Sequence, residues 1–380
     1  MSPDLCCPAA LAVALADLTA AGAAFLATLA CLPLCRMWAL RRGLVDLPGG
    51  RKRHAIPVPL SGGLAVFLAF IVILIAWLSV IDCGSGAAGG ARFDAGRQEV
   101  WFLVAAGSLV FATGLADDIL KPRGGLSAGA KLTGQILAAL LAAPALIGLD
   151  FLDPAGDGGA LILVPILLLW LLAVTNAFNF SDNINGLMGG LAVIGCVVAL
   201  CALPGPSRFL RLTGSILAGG VLAFLPFNYP RARVFGGDAG SHFIGFWLAL
   251  ITWPPALTPQ DIGSVSGGVV LFIPAVLILA VPLGDALFVV SMRLKARKAV
   301  YLGDDRHLSH RLVRGGFSAA AAVLLLWGVA ILCAGLGAVA AAMEGWGRYA
   351  LLGVGCGIIG LLCIITVRTE KKRVSKAAST

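Results

Sequence analysis

Residues 160–187 read ALILVPILLLWLLAVTNAFNFSDNINGL, and this stretch decides the fold. It begins as an unbroken apolar run and ends in a cluster of asparagines around Asp182. An apolar run that approaches about 20 residues is typical of a transmembrane helix. The asparagine-rich end is too polar to continue such a helix. Because Asn and Gly tolerate left-handed backbone, we expect Asn183 and Gly186 to turn the chain sharply there.

The composition of the whole chain agrees with a membrane protein. Of its 380 residues, 59% are hydrophobic and 12% are charged, and the mean hydropathy is +0.96. A soluble domain carries about 25% charged residues, so a soluble globular protein is excluded. We expect a single integral membrane domain over residues 1–380, an all-α polytopic protein with about eleven transmembrane helices. The apolar stretches are 11–34, 60–81, 100–116, 129–149, 159–177, 187–204, 210–227, 238–253, 268–292, 318–342 and 348–367.

The net charge of +9 is explained by topology. When the connections between stretches are assigned alternately to two sides, one side collects 23 Lys and Arg and the other collects five. Connections rich in Lys and Arg stay in the cytoplasm. The pattern therefore predicts an N-terminus outside and a C-terminus in the cytoplasm, and the basic excess does not require nucleic acid as a partner.

Acidic and amide residues gather at the ends of stretches that this topology places on the cytoplasmic side. A charge at the centre of a membrane helix costs about 2.5–3.5 kcal/mol, so acids at the membrane edge need a reason. We expect one site, built from several helix ends on the cytoplasmic face. The segments are DDILK (117–121), NAFNFSDNINGL (176–187), FNYPRARVFGGDAGS (227–241) and DDRHLSHRL (304–312).

Asp117 and Asp118 indicate a divalent cation. Two adjacent carboxylates near a membrane cannot both stay ionised without a compensating charge. Oxygen ligands favour Mg²⁺ or Mn²⁺ over zinc, and Mg²⁺ commonly binds substrate phosphates as well. A phosphorylated substrate is therefore expected, with Lys121 as a partner for its phosphate. The alternative is a solvated acidic cap at a helix end.

The other segments also have structural interpretations. The asparagine-rich segment is equally compatible with a capped helix–loop junction, and the glycines near Asp238 with an ordinary turn. Lys52 and His54 are compatible with a cytoplasmic anchor of the chain. His307 and His310 have the spacing of half a zinc site, but two imidazoles beside arginines are better suited to diphosphate oxygens.

Two further polar residues lie within apolar stretches and receive no chemical role. His242 is interpreted as a histidine of the core. Asp285 is interpreted as a buried acid with a structural partner.

The four segments in this order resemble the polyprenyl-phosphate N-acetylhexosamine-1-phosphate transferase superfamily, across nearly the whole chain. DDILK is similar to the DDxxK motif, and NAFNFSDNINGL to NxxNxxDGxNGL. The third segment is similar to the uridine- and metal-binding segment, and the fourth to the terminal His-rich loop. RKRHAIPVPLSGG (51–63) is similar to the first cytoplasmic loop.

The resemblance implies a reaction at the cytoplasmic face of the bacterial inner (plasma) membrane. N-acetylhexosamine-1-phosphate would pass from a UDP-N-acetylhexosamine such as UDP-N-acetylglucosamine to undecaprenyl phosphate, with Mg²⁺, and UMP would be released. The lipid-linked sugar would serve cell-envelope glycan synthesis, with teichoic acid, lipopolysaccharide and capsule left open as pathways. A homodimer is also left open.

The resemblance also assigns roles to residues. Asp117, Asp118, Asp182 and Asp238 would be catalytic, and Asn179, Asp238 and Asp118 would bind the metal. Phe235 and Asn185 would contact uracil, and Lys121, Arg306 and His307 would hold the diphosphate. The remaining candidate substrate contacts are Asn228, His310, Lys52 and His54.

The chain departs from the resembled pattern at two positions. Asn183 stands where the superfamily usually has Gly, and Ser309 stands where the N-acetylglucosamine branch often has the middle His of HIHH. The loop also differs from the triple-His pattern of the phospho-N-acetylmuramoyl-pentapeptide transferases, which are the alternative within the superfamily. Outside it, a transporter would place charges near the middle of several spans. A CDP-alcohol phosphotransferase would carry a DGxxAR signature, which the chain lacks.

The charge pattern predicts which connections a membrane-impermeant maleimide can reach. In a background without the native cysteines, Arg92→Cys should be labelled on intact cells. Arg123→Cys should be labelled only after the cells are permeabilised, because the cytoplasmic side holds the basic connections. Labelling of both positions from the same side would contradict this topology.

Overall fold

A computed structural model describes residues 8–48, 56–84, 97–147, 160–203, 207–254, 257, 265–299 and 306–378 of the chain. Within these ranges the protein is a bundle of thirteen α-helices, as the all-α prediction requires. The helices are α1 (Pro8–Arg42), α2 (Gly62–Gly84), α3 (Arg97–Leu120), α4 (Ala128–Ile147), α5 (Ala160–Ser181), α6 (Leu187–Ala202), α7 (Arg208–Asn228), α8 (Gly237–Ile251), α9 (Val265–Ile278), α10 (Ala280–Lys295), α11 (Leu308–Arg314), α12 (Ala319–Ala341) and α13 (Trp346–Ala378).

α8 is the central helix of the bundle. It packs against α2, α3, α5, α6 and α7, and all of its residues except Asp238 are buried. The sequence permits this position because α8 is apolar on every side from Phe243 to Ile251 and begins with small residues, GDAGS. A helix that is apolar all round belongs in the interior of a protein. The beginning of α8 is therefore held in place by the bundle, and the loops at that end pack around it.

Glycines let α2 and the beginning of α8 approach closely. A Cβ at Gly63 would lie 2.3 Å from the Cα of Gly240, closer than real contacts allow. The chain before α2 runs beside the loop before α8: the backbone N–H of Phe235 donates to Pro59 at 2.9 Å, and that of Gly62 donates to the Phe235 carbonyl at 2.9 Å. A short antiparallel pair, β1 (Val45–Asp46) and β2 (Val58–Pro59), holds this part of the chain.

The predicted number of eleven membrane spans is not confirmed by the described part of the chain. Within the described ranges, eight helices are long and apolar enough to cross a membrane, and one bent pair would make nine. α6 and α8 have 16 and 15 residues, so each is only about 22–24 Å long, short of a hydrocarbon core of about 30 Å. Both are largely buried among other helices, so protein rather than lipid surrounds them.

The stretch predicted as a span at 268–292 is not one straight helix, because α9 and α10 meet at an angle of 91°. Pro282 explains the break. It has no N–H to donate to the carbonyl of Ile278, four residues earlier, and its ring would clash there. Leu279, between the two helices, has φ −101° and ψ 20°.

α7 separates two groups of charges. At its beginning, Arg208 and Arg211 each bind a carboxylate oxygen of Asp17 at 3.0 Å. At its other end lies Asn228, and the 21 residues of α7 span about 30 Å. The Asp17 cluster therefore lies far from the polar helix ends that are described next.

Candidate functional site

The first part of the site is a tight turn after α3. A 3-10 turn, Lys121–Arg123, follows the helix, and Gly125 then has φ +71°, in the left-handed region that glycine tolerates. The turn lets the backbone N–H of Leu126 donate to Oδ1 of Asp117 at 2.7 Å. A Cβ at Gly125 would lie 2.9 Å from that oxygen. Glycine is therefore needed for the backbone to hold the Asp117 carboxylate.

Asp118 holds the beginning of α8. Its Oδ1 accepts from the backbone N–H of Asp238 at 3.1 Å, and its Oδ2 accepts from that of Ala239 at 3.0 Å. A carboxylate at this position accepts hydrogen bonds from the free N–H groups of the first turn. Its negative charge also interacts favourably with the positive end of the helix dipole. Lys121 also donates to Oδ1 at 2.8 Å. Since Asp118 is buried with both oxygens engaged, its contacts position Asp238, and metal binding by Asp118 stays a prediction.

Two lysines bind the carboxylate of Asp238. Lys121 Nζ lies 3.4 Å from Oδ1, and Lys131 Nζ lies 3.0 Å from Oδ2. Lys131 Nζ also lies 3.1 Å from Oδ2 of Asp117, so it joins α3 to α8. The cluster therefore contains three carboxylates and two ammonium groups in direct contact.

Lys131 is a site residue that the sequence analysis missed. It was counted only as one of the basic residues that set the topology. A signal was present, because Lys131 is the one charged residue inside the apolar stretch 129–149. A charged residue in a membrane segment indicates a function or a buried partner.

The asparagine-rich loop brings an amide and a fourth acid to the same place. Asn179 Nδ2 donates to Oγ of Ser241 at 2.9 Å, which turns its Oδ1 away from Ser241. The Oδ2 of Asp182 approaches Gly236, where a Cβ would lie 3.4 Å from it. Burial raises the pKa of Asp182 to about 8, and the carboxylate of Asp238 contributes to that rise.

Asn228 joins the loop after α5 to the loop after α7. Its Oδ1 accepts from the backbone N–H of Gly186 at 2.6 Å, and its Nδ2 donates to the carbonyl of Val234 at 3.0 Å. Asn185 Nδ2 makes a second link to the carbonyl of Pro230 at 3.3 Å. The Asn228 amide is buried and holds both loops in place, and its contact with substrate stays a prediction.

A cavity of about 680 Å³ opens where these loops meet. Four of the predicted site residues do not line the cavity: Asp117, Asp118, Arg306 and His307. Lys52 and His54 lie outside the described residues. The predicted residues that do line it are Lys121, Asn179, Asp182, Asn185, Asn228, Phe235, Asp238 and His310.

The His-rich loop is held by the acid that the sequence assigned to no chemistry. Asp285 Oδ2 lies 2.7 Å from Nδ1 of His307, and Asp285 Oδ1 accepts from the backbone N–H of Leu308 at 2.8 Å. The structural interpretation of Asp285 is therefore confirmed. His307 is buried, and Arg306 donates to the carbonyl of Met292 at 3.2 Å. Diphosphate binding by Arg306 and His307 stays a prediction.

The cavity wall offers oxygen atoms of the kind that Mg²⁺ prefers. Asp238 and Asp182 contribute carboxylates, and Asn179 contributes an amide. Within the described part of the chain, no three His, Cys, Asp or Glu side chains converge as metal ligands. Amide oxygens are ligands too, and Mg²⁺ needs only one or two protein carboxylates besides substrate phosphates. The donor set therefore fits Mg²⁺ or Mn²⁺.

The fold and this cavity define a class of protein. The chain is a polytopic membrane protein in which acids, amides and lysines from several helix ends converge on one cavity, as in an enzyme that handles a phosphorylated substrate.

Comparison with known proteins narrows the class to a family. The sequence profile of glycosyl transferase family 4 matches residues 100–253. A decaprenyl-phosphate N-acetylglucosaminephosphotransferase of Mycobacterium tuberculosis (strain CDC 1551 / Oshkosh) is 32% identical over 83% of this chain and 79% of the relative. An undecaprenyl-phosphate alpha-N-acetylglucosaminyl 1-phosphate transferase of Salmonella typhi is 30% identical over 83% of this chain and 82% of the relative. A probable undecaprenyl-phosphate N-acetylglucosaminyl 1-phosphate transferase of Bacillus subtilis (strain 168) is 28% identical over 78% and 76%.

The chain belongs to glycosyl transferase family 4, the superfamily of polyprenyl-phosphate N-acetylhexosamine-1-phosphate transferases that its motifs resemble. It is therefore an enzyme, and the transporter alternative is excluded.

The raised pKa of Asp182 predicts that the metal-free protein loses stability as the pH rises. The Asp182 carboxyl keeps its proton up to about pH 8 in the folded chain. In the unfolded chain it loses that proton near the ordinary pKa of Asp, about 3.9. The folded state therefore binds more protons between these values, and its free energy of unfolding falls as the pH rises through them. Thermal midpoints in EDTA, measured from about pH 5 to about pH 8, should fall less steeply for Asp182→Asn. Equal slopes for both proteins would contradict the shift.

Proposed function

We propose that the enzyme transfers N-acetylhexosamine-1-phosphate from a UDP-N-acetylhexosamine to undecaprenyl phosphate, at the cytoplasmic face of the bacterial inner membrane. An oxygen of the acceptor phosphate attacks the phosphorus that carries the sugar. The bond from that phosphorus to the bridging oxygen breaks, and UMP leaves with the electron pair. The product is a polyprenyl-diphosphate sugar.

The observation that carries this proposal is the Asp238 carboxylate, bound by two lysines on a cavity wall. Two phosphate groups must approach each other in the reaction, and their repulsion must be offset by positive charge. Lys121 lines the cavity and would hold phosphate oxygens directly. Lys131 binds Asp238 directly and would maintain its position, and Asp117 would in turn hold Lys131.

A bound Mg²⁺ ion would supply further neutralisation of phosphate charge. Asp238, Asn179 and Asp182 are the cavity residues that would hold it. The acceptor phosphate, with a second pKa near 6, is already largely deprotonated at pH 7. A strong general base is therefore unnecessary. Asp117, buried and bound to Leu126 and Lys131, would act by holding Lys131.

The residues that line the cavity suit a nucleotide sugar. Phe235 offers an aromatic face on which a base can stack, and its backbone is fixed by bonds to Pro59 and Gly62. Asn185 also lines the cavity and would contact the uracil edge. His310 lines the cavity as well and would meet the diphosphate.

N-acetylglucosamine is the proposed sugar, since the named relatives act on N-acetylglucosamine phosphates. A muramoyl-pentapeptide donor is the second candidate, and the His-rich loop lacks the triple-His pattern of that branch. The cytoplasmic placement rests on the 23 basic residues of one side against five on the other.

The purified protein should release UMP from UDP-N-acetylglucosamine only when undecaprenyl phosphate is present. EDTA should abolish the reaction, and Mg²⁺ or Mn²⁺ should restore it, because the oxygen ligands favour these ions. UDP-N-acetylmuramoyl-pentapeptide serves as the competing donor and should give no UMP. Full turnover in EDTA would contradict the metal assignment. Turnover of the pentapeptide donor alone would contradict the sugar assignment.

Substitutions of Asp238 and Phe235 should have separable kinetic effects. Asp238→Ala removes a carboxylate that would hold the ion which neutralises phosphate charge in the transition state. We therefore expect kcat to fall about a thousandfold, which corresponds to about 4 kcal/mol. Phe235→Ala removes stacking worth about 1–3 kcal/mol and keeps the backbone bonds of residue 235. Because stacking is equal in the ground and transition states, KM for the UDP-sugar should rise about ten- to hundredfold with kcat preserved.

Asp17→Ala is the matched control for Asp238→Ala. Asp17 also binds two basic side chains, but it lies at the opposite end of α7, so its loss should leave kcat near that of the wild type. Near-normal kcat in Asp238→Ala, or a loss of kcat without a change in KM in Phe235→Ala, would contradict the proposed roles.

A further inference from the structure

The two positions at which the chain departs from the superfamily pattern are in direct contact. The hydroxyl of Ser309 donates to Oδ1 of Asn183 at 2.6 Å. The same amide donates through Nδ2 to the carbonyl of Phe180 at 2.6 Å, so it is held at both ends. Asn183 lines the cavity, whereas Ser309 is 1% exposed.

The contact matters because of the helix on which Ser309 lies. α11 has seven residues, too few to be stable as an isolated helix. Its placement must therefore come from bonds to other elements. Asp285 binds its first backbone N–H, at Leu308. On its other side, Glu370 of α13 binds Arg311 at 2.6 Å and Arg314 at 2.7 Å.

These two anchors attach α11 to α10 and α13, and neither reaches the cavity wall. The bond from Ser309 is a side-chain link between α11 and the asparagine-rich loop. The next residue along the chain, His310, lines the cavity. A shift of the first turn of α11 would therefore move the imidazole relative to the cavity.

We propose that Asn183 and Ser309 are a positioning pair, whose hydrogen bond fixes His310 at the cavity for contact with the diphosphate of the sugar donor. This inference rests on the proposed function for the identity of the ligand. The Ser309 hydroxyl is buried and out of reach of water, so it needs the Asn183 oxygen as its acceptor. A Gly at 183 would leave that hydroxyl without its acceptor, so the two departures support each other.

Two double-mutant cycles on the purified full-length enzyme test the pair. Ser309→Ala and Asn183→Ala should each lower kcat/KM for the UDP-sugar about tenfold, the scale of one lost hydrogen bond that orients a contact. Their double variant should be no worse than either single variant, because both remove the same bond.

The second cycle asks whether Ser309 acts through His310. His310→Ala should lower kcat/KM at least as much as Ser309→Ala does, and adding Ser309→Ala to it should cause no further loss. A merely structural role of Ser309 would lower the rate in both backgrounds. Ser309→Thr, which keeps the hydroxyl, should restore most of the activity.

Hydrogen exchange of the α11 amides gives a readout that needs no substrate. Ser309→Ala and Asn183→Ala should each accelerate exchange over 308–314. The control is Ser215→Ala, since Ser215 is a buried serine whose hydroxyl donates to the carbonyl of Arg211 in its own helix. This substitution should change neither exchange in α11 nor turnover.

The outcomes separate the two proposals. Faster exchange in the variants of an enzyme that turns over no UDP-sugar would keep the pair as a structural link, and would overturn both the proposed function and the diphosphate contact. Additive losses in either cycle, or unchanged kcat/KM in Ser309→Ala, would overturn the positioning pair alone.

Discussion

Three carboxylates meet at one end of the helix bundle, and the compensation of their charge governs the rest of the site. Two like charges about 4 Å apart repel by about 4 kcal/mol at an effective dielectric constant of 20. Two lysines and several backbone N–H groups offset this repulsion. Lys131 lies between Asp117 and Asp238, and Asp118 is bound by Lys121 and by the beginning of α8. One negative charge remains in the cluster, which suits a site that also receives a cation and phosphates.

This compensation explains several features of the fold. Gly125 turns the chain so that Lys131 can return to Asp117, and α8 lies at the centre of the bundle with its first turn against Asp118. The central helix is short because its beginning must lie at the level of the cavity. In the proposed reaction the acceptor lipid would offer its phosphate at the membrane surface. A site at helix ends would then meet both the proposed nucleotide sugar, which is soluble, and the membrane-bound acceptor.

The sequence was sufficient for the helices and for most of the cavity, and insufficient for side-chain partnerships. Apolar stretches predict helices well because lipid and a buried core both demand apolar faces. They do not reveal whether lipid or protein covers a helix, so the burial of α8 among other helices was not predicted. Lys131 was missed because charge counts treat every basic residue alike. Asp118 was expected at the metal. Its contact with the first N–H groups of α8 could not be predicted, because these groups lie about 120 positions away in the sequence. The contact between Asn183 and Ser309 could not be predicted, because no local pattern links positions so far apart.

The proposed site of a divalent ion lies in this cavity, with Asp238 and Asn179 among its protein ligands. The most direct test is an anomalous difference map of crystals grown with Mn²⁺ and a UDP-sugar. The account predicts a peak about 2.0–2.3 Å from an oxygen of Asp238 and from Oδ1 of Asn179, with Lys121 on the phosphates. A peak beside His307 and Asp285, or no peak within the cavity, would contradict it.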